Sequence, residues 1–325
     1  MQLAWGYAPP LIISAAVQHG IFDQLDAGPK TAQELADAAG VPLRGIRAVA
    51  NALVGIDLLA KDADGRYALT PESAAFLVSK KPSFLGRMIR HTTVQVLPRW
   101  TMLGEIVEHG KSLGSVNNQE GGAEFFQQFV EDLFPLSYPA AQALAAELKV
   151  AEATAPVSVL DLGAGSGVWS VALAQASPKV SVTAVDWPIV LEVTQRVAAR
   201  CGVADRYTFV AGDLGLADFG HGYNVATLGH ILHSEGEVGS RELLKKTFTA
   251  LAPGGTIAIQ EFLVDEQRAK NTMGLIFAVN MLVATDDGDT YSFEEIANWL
   301  TGTGFVNVRQ LNSPGPSPLI LATKP

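Results

Sequence analysis

Three aspartates in this 325-residue chain share one setting. Asp161 closes the apolar run 157-VSVL-160 and leads into Leu162-Gly163-Ala164-Gly165-Ser166-Gly167. Asp186 ends the run 180-VSVTAVD-186, and Asp213 ends 207-YTFVAGD-213. Glycines at 163, 165 and 167 let the backbone turn tightly and approach a ligand closely. A glycine turn opening a helix usually cradles phosphate, with the spacing GxGxxG for dinucleotides. Here the spacing is GxGxG and a carboxylate precedes it. An acid resists a diphosphate and suits a cation or an ammonium group. The chemistry expected at this turn is therefore the holding of a small, positively charged molecule.

S-adenosylmethionine (SAM) fits that description, with its sulfonium, amino group and adenosine. Asp186 stands 19 residues beyond Gly167, where an acid accepts both ribose hydroxyls. Asp213, preceded by Gly212, is placed to take the adenine amino group, with Trp187 and Leu214 sandwiching the ring. Strand-end aspartates also cap helices, so each acid alone is weak. The three in succession carry the expectation.

These positions coincide only if the runs they end lie side by side. The segments 157–160, 180–186, 207–213, 223-YNVATLG-229 and 256-TIAIQEFLV-264 alternate with helical patterns. That alternation predicts a parallel sheet with crossover helices, and the continuous apolar strands predict cover on both faces. Ligands of such sheets bind outside the carboxyl ends of the strands. The segments 305-FVNVRQL-311 and 317-SPLILATKP-325, parted by Pro314-Gly315-Pro316, predict an antiparallel pair at one edge.

Upstream the texture is helical. Residues 10–19 read as a helix. In 31-TAQELADAAG-40, Thr31 is a predicted N-cap with Glu34 in the capping-box position and Gly40 as the stop. The stretch 42-PLRGIRAVANALVGI-56 has a helical stripe at 43, 46, 49, 50 and 53. The stretch 58-LLAKDADGRYALT-70 predicts two short strands around Asp64-Gly65. Two helices and a hairpin describe a winged helix. Its second helix offers only Arg44 and Arg47 to a nucleic acid, so packing or dimerisation is the expected role. Residues 71–150 read as broken helices in which 125-FFQQF-129, Trp100, Met102 and Phe134 form core or line an apolar pocket. The predicted division is 1–100 and 101–325.

Composition narrows the classes. Hydrophobic residues make up 48% and charged residues 17%, enough for sizeable cores. The formal net charge of −10 argues against nucleic acid as the partner. One cysteine, Cys201, permits neither a disulfide framework nor a cysteine-based zinc site and fits a reducing, cytoplasmic setting. The apolar N-terminal run is interrupted by Pro9, Pro10, Gln18 and His19 and is too short to span a bilayer, so no membrane is expected.

Asp161–Gly167, Asp186, Gly212-Asp213 and 251-LAPGG-255 resemble the class I SAM-dependent methyltransferases. The N-terminal part resembles the dimerisation module of caffeate-type and bacterial small-molecule O-methyltransferases, and the resemblance covers nearly the whole chain. It implies an α/β fold: a Rossmann-like methyltransferase sheet with a mostly helical winged-helix dimerisation domain. It also implies a homodimer in which each module closes the partner's pocket. The implied activity is SAM-dependent O-methyl transfer to a hydroxyl of a small, aromatic, secondary-metabolite-like acceptor, leaving S-adenosylhomocysteine. Two alternatives stay open: a SAM-binding enzyme of this fold doing hydroxylation, decarboxylation or pericyclic chemistry, and a winged-helix regulator sensing SAM.

The family carries Leu-His-Asp-Trp after its fourth strand, and the His removes the acceptor's proton. His233 matches that His, following Leu232, while Ser234 and Glu235 depart from Asp-Trp. A phenol ionises only near pH 10, so a neutral imidazole is a fitting general base, contributing about 10²–10⁴-fold. The leaving sulfonium already carries its charge, so no metal is expected. Glu261 interrupts the last parallel strand, and a buried charge there needs a partner. In the resembled strand order it emerges beside His233, and the family's His–Glu pair has the same separation. The family's second supporting acid aligns near Thr290, leaving Asp289 as a candidate. Met273, Phe277, Asn280 and Met281 are the expected acceptor residues, the last three sharing a helix face. His230 and His233, three apart, form a possible metal pair for which the sequence offers no evident third ligand.

Overall fold

The computed structural model describes residues 3–117, 119–127, 129–315 and 317–325, and the chain divides into two compact units, Met1–Pro98 and Arg99–Pro325.

In the first unit, Pro9 and Pro10 lie in the first turn of the helix Ala8–Gln18, where a missing N–H costs no hydrogen bond. The helix Ala32–Ala39 opens with the capping box: Thr31 Oγ1 accepts the Glu34 N–H at 3.2 Å, and Glu34 Oε2 accepts the Thr31 N–H at 2.6 Å. Gly40 closes it at φ 64°. The helix Leu43–Gly55 buries Ile46, Ala50 and Leu53 in a cluster with Phe22, Leu35 and Tyr67. Strands β1 (Leu59–Lys61) and β2 (Tyr67–Leu69) form an antiparallel hairpin. Its connection is the whole segment Asp62–Arg66, longer than a two-residue turn around Asp64-Gly65. The Asp62 carboxylate accepts the Arg66 N–H at 2.8 Å and closes this wider loop. Arg44 and Arg47 are exposed.

The second unit holds a seven-stranded sheet: β3 (Val157–Leu162), β4 (Val180–Asp186), β5 (Tyr207–Ala211), β6 (Tyr223–Gly229), β7 (Leu251–Gln260), β8 (Val306–Leu311) and β9 (Leu319–Thr323). The order is β5-β4-β3-β6-β7-β9-β8; β3 to β7 run parallel, and β9 is antiparallel to both β7 and β8. Alternate residues feed opposite faces. Leu160, Leu162, Leu228 and Ile259 join one apolar cluster, and Val159, Val182 and Val225 join another. Each such buried side chain contributes about 1.5–3 kcal/mol. From β3 the chain proceeds outward through β4 and β5, then returns to place β6 on the other side of β3. That reversal opens the ligand crevice of a doubly wound sheet, and the glycine turn follows β3.

β3 runs past the expected 157–160 to Leu162, and β5 stops at Ala211, short of Asp213; the largest departure is at the fifth parallel strand. The last parallel strand runs over 251–260, not 256–264. The segment 251-LAPGG-255 enters it as a bulge between the pairs Tyr223–Leu251 and Val225–Thr256. It is held there because Gly254 N–H donates to Lys324 O and Lys324 N–H to Gly255 O, each at 2.8 Å. At the far end Glu261 leaves the ladder to reach His233. Among the described residues no helix is long and apolar enough to cross a membrane.

Candidate active site

Gly163, Gly165 and Gly167 all take left-handed φ values of 60°, 54° and 71°, which strain any other residue. Space is short as well: a Cβ on Gly163 would lie 2.3 Å from Ile231 Cδ1. Asp186, at the end of β4, fastens this turn. Its Oδ2 accepts the Gly165 N–H at 2.8 Å and its Oδ1 the Trp187 N–H at 2.7 Å. Asp161 is buried and turned into the protein. Thr227 Oγ1 donates to its Oδ1 at 2.7 Å, Ser170 Oγ donates to its Oδ2, and Tyr207 Oη donates to Ser170 Oγ at 3.0 Å. Burial pushes both carboxyls up to about 6, against the pull of these hydrogen bonds, and the charge on Asp161 adds to the rise at Asp186. The ionised form of each is therefore costly, and positive charge brought near the pair would ease that cost.

Trp187 sits at the mouth of the same turn, its ring 5.8 Å from Phe126, which packs with Phe125 and Phe129. The rings of Phe125, Phe126 and Phe129 thus gather on the Trp187 side of the glycine turn. Leu214 approaches Gly163, and Lys246 Nζ fixes the loop after Asp213 by donating to the carbonyls of Leu214, Gly215 and Ala217 at 2.6, 2.9 and 3.0 Å. The Asp213 carboxylate accepts the Gly215 N–H at 2.8 Å, and Gly212 N–H donates to Asp186 O at 3.0 Å.

Adjacent strands β6 and β7 end at the paired residues Gly229 and Gln260, which brings His233 and Glu261 together. His233 occupies the first turn of the helix Leu232–Ala250, which bends at Gly236 (φ 68°, ψ 174°). Its Nδ1 lies 2.7 Å from Glu261 Oε2, and its backbone N–H donates to Glu261 Oε1 at 3.3 Å. Burial alone would raise the Glu261 carboxyl, but the charge and hydrogen bonds of His233 hold it below the usual range. Phe277 stands edge-on to the His233 ring at 5.0 Å, and Phe262 packs on Phe277 at 4.3 Å.

The 285–291 loop grips His233 by its backbone. Asp289 N–H donates to His233 O at 2.9 Å, while the Asp289 side chain accepts the Thr290 N–H at 2.7 Å. The departure at Ser234-Glu235 has its own support: Asn117 Nδ2 donates to Ser234 O at 2.8 Å and Ser234 Oγ to Ile231 O at 2.9 Å. Burial, then the charge of Asp213, raises the Glu235 carboxyl.

Of the expected acceptor residues, Phe277 reaches His233, Met281 is buried, and Asn280 Oδ1 accepts the Trp100 indole N–H at 2.9 Å. Met273 is exposed at the start of the helix Thr272–Ala284. The bond from Trp100 to Asn280 spans 180 positions and leaves no local sequence signal. The pair His230 and His233 has no evident third ligand in the sequence, and the structure supplies one in Glu261. His230 Nδ1 lies 3.9 Å from Glu261 Oε2, and ligand atoms of His230, His233 and Glu261 all fall within 4.8 Å of one another. Burial pushes the His230 imidazole down to about 4.

The sheet order, the glycine turn and the acids at the strand tips define a class I, SAM-type methyltransferase domain. The chain belongs to the O-methyltransferase family: the O-methyltransferase domain matches residues 109–306, and the O-methyltransferase dimerisation domain matches residues 1–79. It is a SAM-dependent O-methyltransferase. Two similar proteins are the tetracenomycin polyketide synthesis 8-O-methyl transferase TcmO of Streptomyces glaucescens and the 3-hydroxy-5-methyl-1-naphthoate 3-O-methyltransferase of Streptomyces sahachiroi. The first is 28% identical, covering 100% of this chain and 96% of the relative. The second is 29% identical, covering 99% and 94%. The solved structure of PigF with S-adenosylhomocysteine, a protein known from a Serratia strain, superposes with a TM-score of 0.87 at 25% identity over 99% of this chain and 98% of that one.

Proposed function

We propose that this enzyme methylates a hydroxyl on a small fused-ring aromatic acceptor, with His233 as the general base. The observation that carries the reading is the His233–Glu261 pair, 2.7 Å apart and set against the aromatic edge of Phe277. A carboxylate on Nδ1 favours the tautomer with its proton there, which leaves the Nε2 lone pair for the substrate. The acceptor's O–H proton passes to Nε2. The oxygen attacks the methyl carbon in line, the C–S bond breaks, and its electron pair stays on sulfur as the neutral thioether of S-adenosylhomocysteine. Charge moves from sulfonium to imidazolium, beside Glu261. No step in this sequence calls for a metal.

In this reading Asp161, Gly163 and Gly165 hold the amino-acid end of SAM, Asp186 the ribose, and Asp213, Gly212, Trp187 and Leu214 the adenine. Phe277, Met281 and Asn280 face the acceptor, and Met273 lies farther out on the same helix. A fused-ring acceptor is favoured by the two similar bacterial enzymes, whose names specify tetracenomycin polyketide synthesis and a naphthoate. The dimerisation match at 1–79 supports a homodimer. The test is a panel of naphthols, hydroxynaphthoates and simple phenols, scored by S-adenosylhomocysteine release and product mass. One O-methyl product per thioether is expected, with the fused-ring members turning over fastest. Release of carbon dioxide or a hydroxylated product, without methylation, would replace the reading with the non-methylating alternative.

A further inference from the structure

We propose that His230, His233 and Glu261 form a site for a divalent cation of the zinc class, and that occupation of this site switches methyl transfer off. Three observations carry it. Among the described residues, the buried His230 Nδ1 has no hydrogen-bond partner. His230 holds a left-handed φ of 60°, a conformation that is strained for a non-glycine residue and clusters at functional sites. Its backbone N–H is pinned to Gln260 O at 2.8 Å, so the imidazole is delivered toward Glu261 by a fixed backbone. The third observation is geometric. Tetrahedral zinc bound at about 2.0–2.1 Å sets its ligand atoms about 3.3 Å apart. The two distances to Glu261 Oε2 straddle that value, 2.7 Å from His233 Nδ1 and 3.9 Å from His230 Nδ1. Opening one and closing the other by about 0.6 Å, and drawing in the third pair, which lies within 4.8 Å, would bring the three ligand atoms to zinc geometry. Two imidazoles and a carboxylate suit zinc, and a water completes the fourth position.

The consequence for catalysis follows from imidazole chemistry and rests on His233 being the base. A neutral ring has one lone pair on nitrogen and one N–H. When the metal takes the Nδ1 lone pair, the proton must sit on Nε2. Nε2 is the atom that receives the acceptor's proton, so the metallated ring cannot act as base. Glu261 is drawn to the cation at the same time and no longer steadies an imidazolium.

The experiment titrates metal-free, full-length enzyme with Zn²⁺, and with Co²⁺ as a spectroscopic stand-in, alongside the variant His230→Asn. Asn tolerates φ above zero, so this variant keeps the backbone while removing the ligand. We expect one Zn²⁺ per wild-type chain, visible bands of tetrahedral Co²⁺, and turnover lost with zinc and regained with EDTA. In His230→Asn the affinity falls by about a hundredfold or more, the cobalt bands vanish, and zinc no longer changes that variant's own rate. Absence of binding, or unchanged binding in His230→Asn, overturns the site. Bound zinc that leaves the rate unchanged or raises it overturns the switch. A wild-type enzyme that methylates nothing, with or without metal, would instead sink the reading of His233 as base, and the cobalt bands would still decide the site.

Discussion

Both carboxylate oxygens of Glu261 serve one residue: Oε2 meets the His233 ring at Nδ1, 2.7 Å away, and Oε1 accepts the His233 backbone N–H at 3.3 Å. The carboxylate therefore fixes where the residue starts and how its ring is turned. Glu261→Gln preserves size and can still accept from Nδ1, but places no charge beside the imidazolium. We expect kcat to fall by about 10²–10⁴-fold with the SAM dissociation constant within twofold of wild type. Steady-state kinetics and calorimetry on the same sample check both.

Asp161 should trade stability for binding. Its carboxyl stands at about 6 in the fold, raised by burial, against about 3.9 in the unfolded chain. Between these values the native state binds the extra proton, so stability falls as pH rises through that window, and the penalty is complete above it. Asp161→Asn removes the penalty. Without ligand, its Tm should exceed the wild-type value by a few degrees at pH 8 and converge with it below pH 4. SAM affinity should collapse in the variant. In the wild type it should weaken between pH 7.5 and pH 5, as Asp161 and Asp186 take up protons. Thermal melts and calorimetry across pH read each sign.

Gly229 and Gly302 predict opposite outcomes for the same substitution. A Cβ on Gly229 would lie 1.9 Å from Nε1 of the buried Trp169. Gly229→Ala should cost at least about 1–3 kcal/mol through overpacking. For Gly302, inside the helix Phe293–Thr303, no atom of the described residues lies within 4 Å of such a carbon. Gly302→Ala should stabilise by about 0.5–1 kcal/mol. Denaturant unfolding of both variants checks the pair.

Trp100 orients Asn280 through a 2.9 Å hydrogen bond to its side-chain oxygen, leaving the amide N–H groups for other partners. Trp100→Phe frees that amide to rotate. The acceptor KM should rise several-fold while SAM affinity is unchanged, which initial-rate kinetics varying each substrate in turn can separate.

Elements whose formation is local were legible in the sequence. Thr31 and Glu34 announce a helix start because the capping box is closed within four residues. Asp161, Asp186 and Asp213 announce strand tips because apolar runs stop there. Contacts closed over long separations were not legible: Trp100 with Asn280, Asn117 with Ser234, and the inward turn of Asp161 toward Ser170 and Thr227. The start of β7 is hidden because 251-LAPGG-255 has turn residues, yet Lys324, far along the chain, draws it into the sheet. The sequence shows His230 only as half of a pair. Its meeting with Glu261 depends on a left-handed backbone that no spacing rule predicts.

If acids at the sheet tips hold a cationic donor while His233 removes the acceptor's proton, binding and transfer come apart in His233→Ala. Donor affinity and transfer rate, measured in one preparation of that variant, read both. SAM should bind within about twofold of wild type, with kcat lowered by about 10²–10⁴-fold. Transfer at the wild-type rate, or loss of SAM binding with the fold intact, would contradict that division of roles.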